Sequence, residues 1–356
     1  MRYRQIIEGI LVVLACMASG TLECGGPKVT DAQLRGAALY ARTCAVCHGP
    51  GGEGYASDQA PALGNQRFLA SATDDFLRSA IESGRRGTTM SAWSRRFGGP
   101  LARTDTDAII TFLRSLDDGP RAALDERPVS GDSGRGAGLY AHECAKCHGS
   151  RGTGGLNLNI GGADLLSTAS NGFLRYAISG GRPGTAMPSF RKALGDAGIE
   201  DILALLRSWQ ATAARAPRFM PPPQPPPIPL GPVPLNPRGP EPVGFNAAPA
   251  TTPVNSVKGQ LDRGARLALL DARAPSDYLN EHIAGAVSVP FYDPSPYLGL
   301  LPRNAWLVCY CSCPHAESGQ LAQKLHAAGF SKVTVLDEGF GVWKMRKYPT
   351  HTGIDP

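Results

Sequence analysis

A repeat constrains this chain more than any other feature. Residues 36–49 read GAALYARTCAVCHG and residues 136–149 read GAGLYAHECAKCHG, an offset of 100. FLRSAIESGRRGTTM (76–90) lies over FLRYAISGGRPGTAM (173–187) at an offset of 97. FLRSL (112–116) lies over LLRSW (205–209) at an offset of 93. Segment order is kept while loops shorten, as a duplicated unit requires. The two copies are expected over 28–117 and 131–212, with a short polar joint holding Gly119, Pro120 and Pro128. Ile109, Ile110, Leu113 and Leu116, and Ile202, Leu205, Leu206 and Trp209, recur at helical spacing, so each copy should close with a helix that packs into a core.

Each copy contains a C-x-x-C-H motif, Cys44-Ala45-Val46-Cys47-His48 and Cys144-Ala145-Lys146-Cys147-His148. Two thiols three residues apart at a helix end can reach both vinyl groups of one porphyrin, and the next residue places an imidazole under the iron. Zinc would need a second ligand pair in each copy, which is missing. A thioredoxin-like redox motif would need a preceding strand and would not require the histidine. The motifs therefore point to two covalently bound heme c groups, with His48 and His148 as iron ligands.

Both copies resemble class I cytochrome c domains over nearly all of 31–116 and 132–211. The likeness rests on Gly36 and Tyr40 (Gly136 and Tyr140) ahead of the motif, on the last apolar helix, and on a late-loop methionine. Met90 lies in Gly87-Thr88-Thr89-Met90 and Met187 in Gly184-Thr185-Ala186-Met187. The resemblance implies that these two thioethers are the sixth iron ligands. A methionine there raises the potential. It also fills the site that oxygen chemistry would need, so electron transfer is favoured over catalysis at the iron. Tyr40 and Tyr140 either edge the heme or pack between helices. Arg85, Arg86 and Arg182 either neutralise heme propionates or are solvated. His142 reads as a surface residue.

Of the 31 prolines, 15 lie between Pro217 and Pro253. Proline fixes φ and removes a donor, so this stretch should form neither helix nor sheet. It is expected to be a linker over 213–254, an extended spacer between domains.

From 255 to 350 the pattern changes. Leu267–Leu270, Ala286–Val289, Trp306–Tyr310 and Val333–Leu336 are short apolar runs suited to buried parallel strands. Ser318 to Ala328 reads as a helix ending at Gly329. Leu270-Asp271-Ala272-Arg273, Asp277-Tyr278, Glu281-His282-Ile283-Ala284-Gly285-Ala286 and Val335-Leu336-Asp337-Glu338-Gly339-Phe340 with Trp343 together resemble the rhodanese family. The resemblance implies a sulfur-carrying cysteine after the third main strand, in a loop of backbone N–H groups that favours the thiolate. Strand register makes Cys311 that residue, with Cys313 as the alternative or a resolving thiol and His315 as a group that could lower a thiol pKa. Glu317 stands where the family often has an arginine, which argues against phosphatase-type chemistry. Cys309 should be a buried small hydrophobe, and His282 structural.

Residues 1–24 carry Arg2 and Arg4, then an apolar run from Ile10 to Ala18 that is far below the ~18 residues of a membrane span. Val13-Leu14-Ala15-Cys16 resembles a bacterial lipobox, which implies lipidation at Cys16 and a periplasmic or cell-envelope protein held at the membrane. Cys24 falls in the same leader. Net charge is +6, from 36 Lys+Arg against 30 Asp+Glu. No basic run stands out, so nucleic acid is not an expected partner.

The whole is expected to be multidomain: two all-α cytochrome c domains, then an α/β rhodanese-like domain with a parallel sheet. Its expected role is an exported dihaem cytochrome passing electrons between redox donor and acceptor proteins. The rhodanese-like domain would handle the sulfane sulfur of a sulfur compound, as a sulfurtransferase does. The alternative is a respiratory electron shuttle whose rhodanese-like domain is a catalytically silent binding module.

Overall fold

A computed structural model describes residues 29–57, 59–117, 119–212, 233–313 and 315–356. The candidate leader with Cys16 and Cys24, and positions 213–232 of the proline-rich stretch, lie outside the described residues.

The first repeat is helical. It contains α1 (Asp31–Thr43), α2 (Ala45–His48), α3 (Gln66–Ser71), α4 (Asp74–Ser83) and α5 (Arg103–Ser115). The second repeats that order as α6 (Ser133–Glu143), α7 (Ala145–His148), α8 (Ala163–Thr168), α9 (Asn171–Gly180) and α10 (Arg191–Thr212), the last kinked at Gly195. Thr30 caps α1 in a reciprocal box with Gln33, satisfying donors the helix cannot use itself.

In each repeat the first helix crosses the last at a glycine. A Cβ on Gly36 would sit 2.0 Å from the Ala108 carbonyl oxygen, and one on Gly136 would sit 2.1 Å from that of Asp201. Only hydrogen fits between the backbones at this crossing. One turn on, Tyr40 packs on Phe112 and Tyr140 on Trp209, with ring centroids 5.0 and 4.8 Å apart. Each tyrosine is fully buried and donates its hydroxyl to the carbonyl of Gly49 or Gly149. Both therefore pack between helices and pin the turn after the C-x-x-C-H motif.

The two repeats meet through reciprocal contacts. Arg85 donates to the Asp164 carbonyl on α8, and Arg182 donates to the Arg67 carbonyl on α3. Both pairs of positions are related by the offset of 97 found in the sequence, so the repeats form a self-complementary pseudo-dimer. Arg86 adds an ion pair to Asp164 at 2.5 Å. These arginines were expected either beside propionates or in solvent. They are not solvated but lie in the seam between repeats, where the Asp164 and Thr168 side chains and backbone carbonyls take up their donors.

The C-terminal domain is a five-stranded sheet flanked by helices. In chain order its elements are β1 (Thr251–Thr252), α11 (Val254–Asp262), β2 (Leu267–Asp271), α12 (Pro275–Asn280), β3 (His282–Ile283), β4 (Ala286–Ser288), β5 (Trp306–Tyr310), α13 (Ala316–Ala327), β6 (Val333–Leu336), α14 (Gly339–Met345) and β7 (Thr350–His351). The sheet order is β1-β6-β5-β2-β4, with every pairing parallel. β2 and β6 are buried throughout and β5 nearly so, which explains why they read as unbroken apolar runs. β3 and β7 form a small antiparallel pair.

One expectation needs correction. The proline-rich stretch was expected to lack sheet, yet Thr251 and Thr252 form the edge strand β1. Pro249 and Pro253 flank these two residues without occupying them, so their N–H groups remain usable. Upstream, Ala248 donates to the Val333 carbonyl, Phe245 packs on Trp306, and Glu241 pairs with Arg266 and Lys332. This second half of the stretch is part of the C-terminal domain.

That domain docks on the first repeat. Ser276 at the start of α12 donates to the Ala92 carbonyl at 2.5 Å, and Ser91 donates to the Asp277 carboxylate at 2.6 Å. Trp93 packs on Tyr292, and Arg42 pairs with Asp293 at 2.9 Å. A continuous apolar cluster runs from the helical repeats to one face of the sheet.

Candidate heme and thiol sites

α2 and α7 are single turns that bring each C-x-x-C-H motif together. His48 is buried, and its Nδ1 lies 2.9 Å from the Pro61 carbonyl oxygen. In the second repeat, His148 Nδ1 lies 2.8 Å from that of Leu158. A carbonyl oxygen can only accept, so Nδ1 carries the proton and Nε2 carries the lone pair. A metal-ligating imidazole is oriented in this way by an outer hydrogen bond. Burial lowers the pKa of both histidines and favours the neutral ring. The donor set of each motif thus fits a covalently attached heme: two cysteines, and one imidazole with its second nitrogen free.

Met90 and Met187 sit on matching turns. Arg85 N–H donates to the Met90 carbonyl and Arg182 N–H to that of Met187, each at 2.9 Å. Thr88 and Thr185 each accept from the methionine N–H through the hydroxyl. Gly84 and Gly181 lie beneath these turns at φ +63° and +61°. A Cβ at Gly84 would come within 2.5 Å of the Met90 carbonyl oxygen. The backbone of each methionine loop is therefore fixed before any ligand is considered.

Cys44 and Cys144 are each pushed up to about 11, chiefly by burial, so both thiols are protonated at neutral pH. His142 is exposed and pairs with its neighbour Glu143.

The thiol loop follows β5. Cys311 is 1% exposed. Its Sγ lies 3.3 Å from Cys313 Sγ, 3.2 Å from Ser318 Oγ and 2.8 Å from the Cys313 carbonyl oxygen. Cys47 of the first repeat is a near neighbour of Cys313 and acts on its thiol. The expected thiolate-favouring loop is not what these residues build. Burial pushes the Cys311 thiol well above its usual range. The Cys313 thiol is pulled down by its bond to Cys311 and pushed up by the neighbouring Cys47 and by burial, to about 12. The Glu317 carboxyl is buried too, and burial, with the nearby Cys311 next, raises it well above the carboxylate range.

His315 was expected beside the thiols. The structure turns it away: at φ +62° its Nε2 meets the Asp337 carbonyl at 2.5 Å and the Asp337 carboxylate at 3.1 Å. Arg273 is a cation that reaches this loop. It forks onto Asp271, donates to the Glu281 carbonyl and touches Ser312 Oγ at 3.3 Å. Sequence reasoning noted the Asp271/Arg273 motif without seeing that it borders the loop. Cys309 is fully buried in β5, and His282 stacks on Tyr278 with both ring nitrogens bonded to carbonyls. Among the described residues, no helix is long and apolar enough to cross a membrane.

Two family models match the chain. Cytochrome C oxidase, cbb3-type, subunit III, matches 31–113 and again 131–206, and the rhodanese-like domain matches 254–346. The Azospirillum sp. (strain B510) Cbb3-type cytochrome c oxidase subunit CcoP is 28% identical over 189 residues, 48% of this chain and 60% of the relative. The Azorhizobium caulinodans subunit FixP is 28% identical over 170 residues, 45% of this chain and 53% of the relative. The chain thus spans little more than half the length of these two relatives. The solved rhodanese-like domain from Anabaena sp. is 28% identical, with a TM-score of 0.28, covering 29% of this chain and 80% of that one.

Proposed function

In a chain that joins two cytochrome c domains to a rhodanese-like domain, we propose that each cytochrome repeat holds one heme c and that the protein carries electrons. Cytochrome c domains imply covalently bound heme c. Cys44, Cys47 and His48 would hold the first group, and Cys144, Cys147 and His148 the second. Bound heme supplies a one-electron ferric/ferrous couple. The observation that carries the reading is the pair of imidazoles, each tied through Nδ1 to a carbonyl and each left with Nε2 to ligate. Met90 and Met187, on backbone turns of the same build, are the proposed sixth ligands. Thioethers supplied by these residues would keep water and small oxidants from the iron and so favour electron exchange over substrate binding.

The similar named proteins are subunits of a cbb3-type cytochrome c oxidase. By that likeness we place this chain in respiratory electron transfer at the periplasmic face of a membrane, between a reduced donor and an oxidising acceptor protein. A lipid at Cys16 would tether it there.

The rhodanese-like domain, in this reading, is a docked module closed to outside sulfur compounds. A sulfurtransferase needs an accessible thiolate, and Cys311 is both buried and held protonated.

The test is a pyridine hemochrome assay of the full chain and of two double variants, Cys44→Ala/Cys47→Ala and Cys144→Ala/Cys147→Ala. Each variant should keep half the parent heme. A parent with any count other than one c-type heme per repeat refutes the reading. Methionine ligation is checked by the far-red ferric charge-transfer band, which should disappear only when Met90 and Met187 are both replaced.

A further inference from the structure

We propose that Cys311 and Cys313 form a buried two-electron store that fills and drains through the first cytochrome repeat. This rests on the reading that Cys44, Cys47 and His48 carry a heme.

The pair is built to react with itself. The two Sγ atoms lie 3.3 Å apart, and both residues are buried. Both thiols are nearly closed to solvent, whereas a substrate thiol needs access. Closing a ring over one intervening residue is strained, which suits a couple that must reopen. Cys309, the third thiol of this domain, lies buried in β5.

The pair also has a defined neighbour. Cys47, which would be a porphyrin attachment point, lies close enough to raise the Cys313 thiol pKa. The C-terminal domain brackets this attachment on two sides. α13, which begins beside the loop, packs on α2, and α12 packs on the segment just after Met90. The heme edge at Cys47 would therefore be the electron acceptor next to the thiols.

The step balances as follows. Cys311–SH and Cys313–SH lose two protons and two electrons, and one S–S bond forms between their Sγ atoms. The electrons go singly to two ferric hemes, and the protons go to solvent. In reverse, two ferrous hemes and two protons reopen the bond. The store thereby couples a two-electron thiol chemistry to one-electron carriers.

A cation bound by the same groups is the competing outcome. Ligand atoms of Cys311, Cys313 and Glu317 all lie within 4.8 Å of one another. All three groups are held in their protonated forms, the wrong state for ligation.

The experiment uses the full-length holoprotein, reduced anaerobically, desalted and titrated with ferricyanide. Heme oxidation is followed optically. Remaining thiols are alkylated after denaturation and mapped by mass spectrometry. The parent should consume two oxidising equivalents beyond those of its hemes. Hemes oxidised by a first aliquot should re-reduce as the pair closes, and Cys311 and Cys313 should escape alkylation in a peptide lighter by two hydrogens. Cys313→Ser and Cys313→Ala should both lose the extra equivalents and the re-reduction, and Cys309→Ser should keep them. Hemes present with both thiols still alkylated after excess ferricyanide would overturn the inference alone. So would stoichiometric zinc or copper shielding the thiols. Absence of heme from the first repeat would instead sink the reading beneath it.

Discussion

Phe76 and Phe173 occupy equivalent positions in the two repeats and face each other, with ring centroids 4.8 Å apart at a tilt of 31°. A residue that contacts its own counterpart marks the local twofold axis. Around it, Arg85 and Arg182 make the two halves of one exchanged contact. Phe68 adds an edge-to-face contact to Phe173. An isologous seam of this kind fixes how the two proposed hemes are held relative to each other.

Removing the ring at the axis should loosen that seam. Phe173→Ala is expected to lower the unfolding free energy by about 3–5 kcal/mol, as for other large aromatic truncations in cores. Urea denaturation followed by fluorescence measures it. A loss below about 1 kcal/mol would mean that the seam contributes little to folding.

The glycine crossing gives a paired test. Gly36→Ala pushes a methyl into the Ala108 carbonyl and should destabilise by about 1–3 kcal/mol. Gly138→Ala, on an exposed face of α6 with open space around it, should stabilise by about 0.5–1 kcal/mol. Thermal melts of the two variants should move in opposite directions.

Acid should weaken the second repeat through Glu200. Arg175 hydrogen-bonds this buried carboxylate through two nitrogens, and the pairing holds its pKa near 2. Its folded pKa lies below the unfolded one, so the stabilisation is present above the unfolded value. It is lost as pH falls from about 4.5 toward about 2. The same arginine bonds the carbonyls of Asp125, Arg127 and Pro128, so the joint between repeats should loosen in that window. Urea midpoints recorded between pH 2 and 6 should fall with acid in the parent, and Glu200→Gln should flatten that dependence.

Docking should silence the thiol loop toward small molecules. The intact protein is expected to give background thiosulfate:cyanide transfer and slow iodoacetamide labelling at Cys311. Trp93→Ala combined with Arg42→Ala removes two contacts that hold the C-terminal domain on the first repeat. Labelling should then speed up at least several-fold, read by peptide mapping. Equal labelling rates would show that the dock does not cover the loop.

Much of this architecture was legible from local pattern. C-x-x-C-H is a contiguous signal, and buried parallel strands advertise themselves as unbroken apolar runs. Gly36 and Gly136 were legible as part of the family resemblance, and the structure adds the reason, a crossing too close for a side chain. The rest depended on contacts far apart in sequence. Arg85 and Arg182 looked like propionate or solvent residues, although their shared offset of 97 was the one available hint of an exchanged contact. Thr251 and Thr252 were hidden by prolines that flank them. Of the neighbours of Cys311, only Cys313 was legible. His315 is turned away by a left-handed backbone at its own position, and Cys47 arrives from a different domain.

The dock also imposes a sequence of events on assembly. The C-terminal domain covers the attachment segment at Cys47, yet it follows the other repeat in the chain. Attachment of the proposed first heme would need the Cys47 sulfur open to the porphyrin. A chain that folds from its N-terminus forward presents the first repeat before the last domain exists to cover it. With a heme at Cys47, this architecture would separate the moment of cofactor loading from the moment of closure, and closure would mark a finished molecule.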